Sequence, residues 1–198
     1  MSTPIEQNTT ELQAILDMVN NLLAAGSGGG GNNPLAAIAM GEKYDITAED
    51  LAGVTTIVGH VFNGWSRIRE VYLPDSLLEI EECAFESCRI MHIDFGNSIE
   101  NIGSYAFINA FYADEEMPLH IEIPSSVKTI NWEAFAELPD NSTVIFKGTP
   151  DYIAPSAFNR GVGSLIIKVP WSEGEVANAP WVEGTSITPN IIYNYTED

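Results

Sequence analysis

Ile80-Glu-Glu-Cys-Ala-Phe85 returns in altered form along a chain of 198 residues. Each copy closes on an Ala-Phe or Val-Phe pair: Val61-Phe62, Ala84-Phe85, Ala106-Phe107, Ala134-Phe135 and Ala157-Phe158. An Ile stands five residues before each Phe, at Ile57, Ile80, Ile102, Ile130 and Ile153, and successive Phe residues lie 23, 22, 28 and 23 apart. Self-similarity at a period of roughly 20–50 residues marks a solenoid, in which each unit buries its apolar face only by stacking on the next. Such stacks present long surfaces for binding.

Each block is followed by a turn and a short alternating run: Glu70-Val-Tyr-Leu73, His92-Ile-Asp-Phe95, His120-Ile-Glu-Ile123, Thr143-Val-Ile-Phe146 and Ile166-Ile-Lys-Val169. Period-two alternation predicts strands. Their inward positions are Val71 and Leu73, Ile93 and Phe95, Ile121 and Ile123, Val144 and Phe146, Ile167 and Val169. The expected fold is a β-rich repeat solenoid over 54–169, with about five repeats of 22–28 residues. Residues 34–53 read as an N-terminal cap, in which Ile46-Thr-Ala-Glu-Asp-Leu51 forms one helical turn or an irregular first repeat. Residues 170–198 read as a C-terminal cap. Within it, Ser172-x-x-Glu175 has the spacing of a capped short helix, and 187–195 reads as a last strand.

The N-terminal region has a different pattern. Asn8 and Glu11 are placed to cap a helix over 8–23. Leu12, Ile15, Val19 and Leu22, widened by Leu16 and Leu23, make an apolar stripe of about two heptads. A lone helix of this length is marginal in water and needs a partner surface. That surface is either the solenoid or further copies of the helix; in the second case Leu12 and Val19 sit at a and Ile15 and Leu22 at d, a mix that leans above a dimer, a trimer being favoured. Residues 26–33 are Gly-rich and predict a flexible linker. Residues 1–25 therefore read as an anchor or oligomerisation segment, on a linker that leads to the repeats.

Composition narrows the function classes. The formal net charge is −20, from 8 Lys+Arg against 28 Asp+Glu. Nucleic acid and anionic membranes are bound mainly through basic side chains, so neither is an expected partner. No apolar run approaches the ~20 residues of a membrane helix, and Met1 to Gln7 lack the features of a signal peptide. The two cysteines, Cys83 and Cys88, are too few for a disulfide framework or a spaced zinc motif. Cys88 falls in a column with Trp65, Ala110, Leu138 and Gly161, which marks it as a small buried hydrophobe. The chain carries no motif of nucleophilic, metal-assisted or phosphate-binding catalysis. The expectation is a non-enzymatic protein without a cofactor, a metal centre or catalytic residues.

The repeats resemble leucine-rich repeats of the BspA-like (Treponema pallidum) class, built on Ser-Val-x-x-Ile-Gly-x-x-Ala-Phe-x-x-Cys-x-x-Leu-x-x-Ile-x-Ile-Pro. The resemblance rests on Ser76-Leu-Leu-Glu-Ile80, Ala84-Phe85-Glu-Ser-Cys88, Ile123-Pro-Ser-Ser-Val-Lys-Thr-Ile130 and Ala134-Phe135, and it covers about 54–170. It implies surface and adhesion roles. Two other stretches extend it. Ser2-Thr-Pro-Ile-Glu-Gln-Asn-Thr-Thr-Glu-Leu-Gln-Ala-Ile-Leu16, followed by the Gly-rich segment, looks like the N-terminus of structural proteins of tailed phages and prophages. Ile46 to Ile57 and Val169 to Trp181 are similar to stretches that flank such repeats in phages of gut Firmicutes. The resemblance implies a virion component on the particle surface, a head fibre or a tail-associated protein, held to other virion proteins through its N-terminal segment. The alternative is a bacterial surface adhesin of the same repeat class, or a protein-interaction module.

The candidate partner surface follows from the outward strand positions and from exposed aromatics. It comprises Tyr72, His92, Asp94, His120, Glu122, Trp132 and Tyr112, and its expected partner is a host-surface protein or glycan. His92 and His120 hold the same outward position in consecutive repeats. If their strands paired, they would stand roughly 5 Å apart, the beginning of a metal or pH-sensitive patch with no third ligand fixed by spacing. His60 has no role in this reading. The third repeat breaks the pattern with Asn109 to Pro118, an insertion that reads as a specificity loop. Its Asp114-Glu115-Glu116 tip is most simply solvated, calcium binding being the weaker reading.

Overall fold

The computed structural model of the protein describes residues 43–112, 118–159, 163–183 and 188–197. The helix expected over 8–23, with Leu12, Ile15, Leu16, Val19, Leu22 and Leu23, lies outside them, as do the Gly-rich linker and the Asp114-Glu115-Glu116 tip.

Among the described residues, twelve short strands form the solenoid. β1 (Asp45–Ile46), β3 (Glu70–Tyr72) and β5 (His92–Asp94) make one parallel sheet. β7 (His120–Ile123), β9 (Ser142–Phe146), β11 (Leu165–Lys168) and β12 (Asn190–Ile192) make a second. β3, β5, β7, β9 and β11 lie where the alternating runs predict strands. A third, five-stranded sheet was not anticipated. It consists of two-residue strands: β2 (Thr56–Ile57), β4 (Glu79–Ile80), β6 (Asn101–Ile102), β8 (Thr129–Ile130) and β10 (Tyr152–Ile153). These end on the five repeating Ile residues, which pair in register from one repeat to the next. A two-residue strand shows no alternation, so only the recurrence of Ile marks it.

The Ala-Phe corner completes each turn without strands. The Phe amides of Phe62, Phe85, Phe107 and Phe135 donate to the carbonyls of Ala84, Ala106, Ala134 and Ala157 one repeat on, at 2.8–2.9 Å. At Phe62, Phe85, Phe107 and Phe135 the corner bends through left-handed backbone two residues before the ring, at His60, Cys83, Tyr105 and Glu133, and two residues after, at Gly64, Ser87, Asn109 and Glu137. The turns thus pack closely. A β-carbon on Gly103 would meet the Glu81 backbone at 2.7 Å.

The five Phe rings stack in one column inside, with centroids 4.9, 5.1, 5.4 and 5.5 Å apart and planes within 20° of parallel. That spacing follows the ~4.8 Å step between paired strands. All ten predicted inward residues are buried, as are the five repeating Ile residues. Cys88 is buried among them, and its thiol donates to the Phe62 carbonyl at 3.1 Å.

The ends depart from expectation in three ways. First, the region expected to cap the N-terminus supplies β1, which pairs with β3 and makes the irregular first repeat that was the alternative to a helical turn; the solenoid has about six turns rather than about five. Asp50 holds this turn together. Burial alone would raise its carboxyl pKa, but hydrogen bonds from Lys43 and from the Thr47 amide and hydroxyl outweigh that and lower it. Second, no α-helix occurs among the described residues, and 172–180 runs as successive turns instead of the short helix. One Ser172–Glu175 turn forms, and Ala-Asn-Ala-Pro after it does not extend it. Third, the last strand is shorter than read and spans Asn190–Ile192, paired to β11.

Candidate functional site

The two longer sheets would be one if every repeat were alike. They are not joined, because the third repeat interrupts them. At the end of its Ala-Phe corner the ladder begins normally: the Ile90 amide donates to the Ala110 carbonyl and the Tyr112 amide to the Ile90 carbonyl, both at 2.8 Å. The inserted residues follow. The chain re-enters at Leu119, and β7 then pairs with β9 only. Among the described residues no strand pairs with the free edge of β5 or with the facing edge of β7.

A cleft of about 570 Å³ fills this break. Its walls are His92 and Asp94 from β5 and His120 and Glu122 from β7; Gly96, Asn97 and Ser125 close one end and Lys147 reaches over from the far side. The alternation of each strand sets this lining, since Ile93 and Ile121 turn inward and leave their polar neighbours outside. Four of the predicted partner-surface residues thereby meet at one place. His92 and His120 do so as opposite walls of a cleft, and not as neighbours on paired strands. Tyr72 stands just beyond. Its ring lies 5.4 Å from that of His92, and its hydroxyl donates to Glu70 at 2.8 Å, which raises the phenol pKa.

The cleft is fixed by its own polar bonds. The Gly96 amide donates to Asp94 at 2.9 Å, and the Asn97 amide to Asp75 at 3.0 Å. Lys147 is paired with Glu197 and, at 3.2 Å, with Glu122; the Glu197 contact leads in raising its ammonium pKa. The arrangement offers hydrogen-bond donors and acceptors beside a smaller apolar share of the lining from Ile93, Phe95 and Pro124. Such a lining suits recognition of a polar ligand.

Tyr112 and Trp132 are exposed but lie apart from the cleft. Tyr112 sits under the Arg89 guanidinium, 4.6 Å from its ring. Trp132 projects from the Ala-Phe corner, three residues before Phe135. A second, shallower hollow of about 490 Å³ lies in the C-terminal region, between Glu173–Pro180 and Thr188–Tyr193.

Among the described residues, one group of three potential metal ligands has all its ligand atoms within 4.8 Å of one another: His60, Cys83 and Glu86. It does not include His92 or His120. The sequence reading set His60 apart. The available signal was its column, for His60 and Cys83 both stand two residues before a Phe in adjacent repeats.

A family model described as BspA type Leucine rich repeat region matches residues 44–163, in six copies. No curated protein and no solved structure matches the chain.

Proposed function

Because the chain belongs to the BspA-type leucine-rich-repeat family, we propose that its solenoid is a non-enzymatic interaction or adhesion module that takes its partner in the cleft between β5 and β7. The observation that carries this reading is the break in the strand face. Among the described residues, the other neighbouring strands of this face pair in continuous hydrogen-bonded sheets, β1-β3-β5 and β7-β9-β11-β12. At this one interruption, imidazoles, carboxylates and an ammonium converge on a hollow large enough for a ligand. An open, largely polar cleft fits a sugar or a short polar peptide loop on a cell surface better than a flat, apolar partner.

A finer proposal concerns where the module is displayed. We read it as carried on the surface of a phage particle, with residues 1–25 attaching it to other virion proteins or bundling copies of it. What supports this is the resemblance of Ser2 to Leu16 and of the Gly-rich segment to phage structural proteins. Mass spectrometry of purified particles tests it: presence supports a virion role, and absence refutes it.

The cleft is tested on the full chain by glycan-array and host-cell binding. Replacing both His92 and His120 by alanine is expected to weaken binding at least about tenfold, since two contacts at the centre of a small site are lost. Both side chains are exposed, so the thermal midpoint should stay unchanged. Undiminished binding by the folded double variant would remove the cleft from the account. Loss of binding in Trp132→Ala alone would place the surface on the Ala-Phe corner instead.

A further inference from the structure

We propose that His60, Cys83 and Glu86 form a binding site for a single divalent transition-metal ion of the zinc type. The repeat builds this site from two columns. His60 and Cys83 are successive rungs of the position two residues before Phe, and Asn63 and Glu86 are successive rungs of the position one residue after it. Four polar side chains therefore meet at the corners of a small quadrilateral on the Ala-Phe corner. Higher rungs of these columns, such as Tyr105 and Ile108, do not continue the set.

The backbone beneath is fixed on every side. The His60 amide donates to the Glu82 carbonyl at 3.1 Å, Phe62 to Ala84 at 2.9 Å, Gly64 to Glu86 at 2.8 Å and Cys83 to Ser104 at 3.1 Å. Asn63 orients the ligands: its side-chain amide donates to Glu86 at 2.8 Å and lies 3.5 Å from His60 Nδ1. The ligand atoms lie within 4.8 Å of one another. A tetrahedral zinc with its usual bond lengths holds ligand atoms about 3.5 Å apart. His60 is exposed and Glu86 half-buried, so rotation of these two side chains can close the difference of about 1 Å.

Donor chemistry selects the ion. A thiolate and an imidazole favour zinc or cobalt, whereas calcium and magnesium require oxygen donors. In the metal-free protein burial, and next the hydrogen bond to Glu86, push the Cys83 thiol up to about 12. The thiol proton leaves to solvent as the ion binds. Three protein ligands leave the fourth position to water. The net charge of −20 draws cations toward the surface.

The test uses the metal alone with the full chain: zinc titration by calorimetry, and cobalt titration by absorption spectroscopy. One equivalent is expected to bind, with a thiolate-to-cobalt charge-transfer band and a higher thermal midpoint. Cys83→Ala should abolish the band, and Cys88→Ala should keep it. His60→Ala, at an exposed position that leaves the fold intact, should weaken binding at least about tenfold, and Asn63→Ala about tenfold, as for a residue that orients a ligand. No binding beyond that of an unrelated acidic protein would overturn the proposal. So would a band that survives Cys83→Ala, or binding lost in the His92→Ala/His120→Ala variant but kept in His60→Ala.

Discussion

Phe107→Ala is expected to destabilise the solenoid by about 3–5 kcal/mol, the range for removing a fully buried Phe ring. The upper half of that range applies, because Phe107 touches more rings than its column requires. It stacks on Phe85 at 5.1 Å and on Phe135 at 5.4 Å, and it also meets Phe95 and Phe111, each at 5.6 Å. Aromatic pairs of this kind add about 0.5–1.5 kcal/mol each beyond the burial of their surface. The position matters as much as the contacts. Stability in a repeat array is a sum of unit terms and nearest-neighbour interface terms, and Phe107 sits at the middle of a five-ring column. Its removal weakens two interfaces at once, beside the insertion that already divides the strand face. Thermal unfolding should shift down by roughly 8–20 °C, at about 2–4 °C per kcal/mol for a domain of this size. Unfolding should also broaden, as the two halves lose coupling. A loss under 1 kcal/mol would mean that the rings do not form one column.

Trp181→Ala is expected to cost a similar 3–5 kcal/mol but to act differently. Trp181 is fully buried and takes the place of a sixth corner residue. Its carbonyl accepts the Phe158 amide at 3.0 Å, the bond that an Ala carbonyl makes in the other turns, and its indole N–H donates to Ala177 at 2.8 Å. Its ring closes the end of the core against Trp171, at 6.3 Å, and Phe146, at 6.5 Å. Without it the last Phe of the column faces solvent and the terminal sheet edge loosens. Exposed strand edges with apolar surface associate, so this variant, unlike Phe107→Ala, should show concentration-dependent aggregation by light scattering below its unfolding temperature. Hydrogen exchange should rise first in 170–197 and leave the N-terminal turns protected. A monodisperse variant with uniform loss of protection would show that Trp181 is an ordinary core residue and no cap.

Much of this architecture was legible because recurrence adds up. One Ile-x-x-x-Ala-Phe block is ambiguous, but five at a near-constant period fix the strand positions, the inward residues and the burial of Cys88. What single-residue patterns could not show was anything made by neighbouring rungs. The two-residue strands ending on Ile57, Ile80, Ile102, Ile130 and Ile153 have too little length for a periodic signal. The N-terminal turn stayed open between a helical turn and an irregular repeat because its strand, Asp45–Ile46, is two residues long and no Ala-Phe pair precedes it. The insertion at Asn109 to Pro118 was visible as extra length. That it parts β5 from β7, and so turns His92 and His120 into opposite walls, depends on where the chain re-enters, and sequence does not encode that locally. His60 was overlooked for the same reason: its partners Cys83 and Glu86 are 23 and 26 residues away and become neighbours only when adjacent rungs are compared column by column.

Residue-resolved amide hydrogen exchange on the intact chain tests the division of the strand face. The parallel register turns the His92 and Asp94 amides toward β3 and leaves Ile93 facing the break, while on β7 the His120 and Glu122 amides face it. The account predicts fast exchange at Ile93, His120 and Glu122, set against slow exchange at Asp94 and at the ladder amides of Phe85, Phe107 and Phe135. Equal protection of Ile93, Glu122 and their strand neighbours would mean that β5 and β7 pair in one continuous sheet, and that no cleft lies between them.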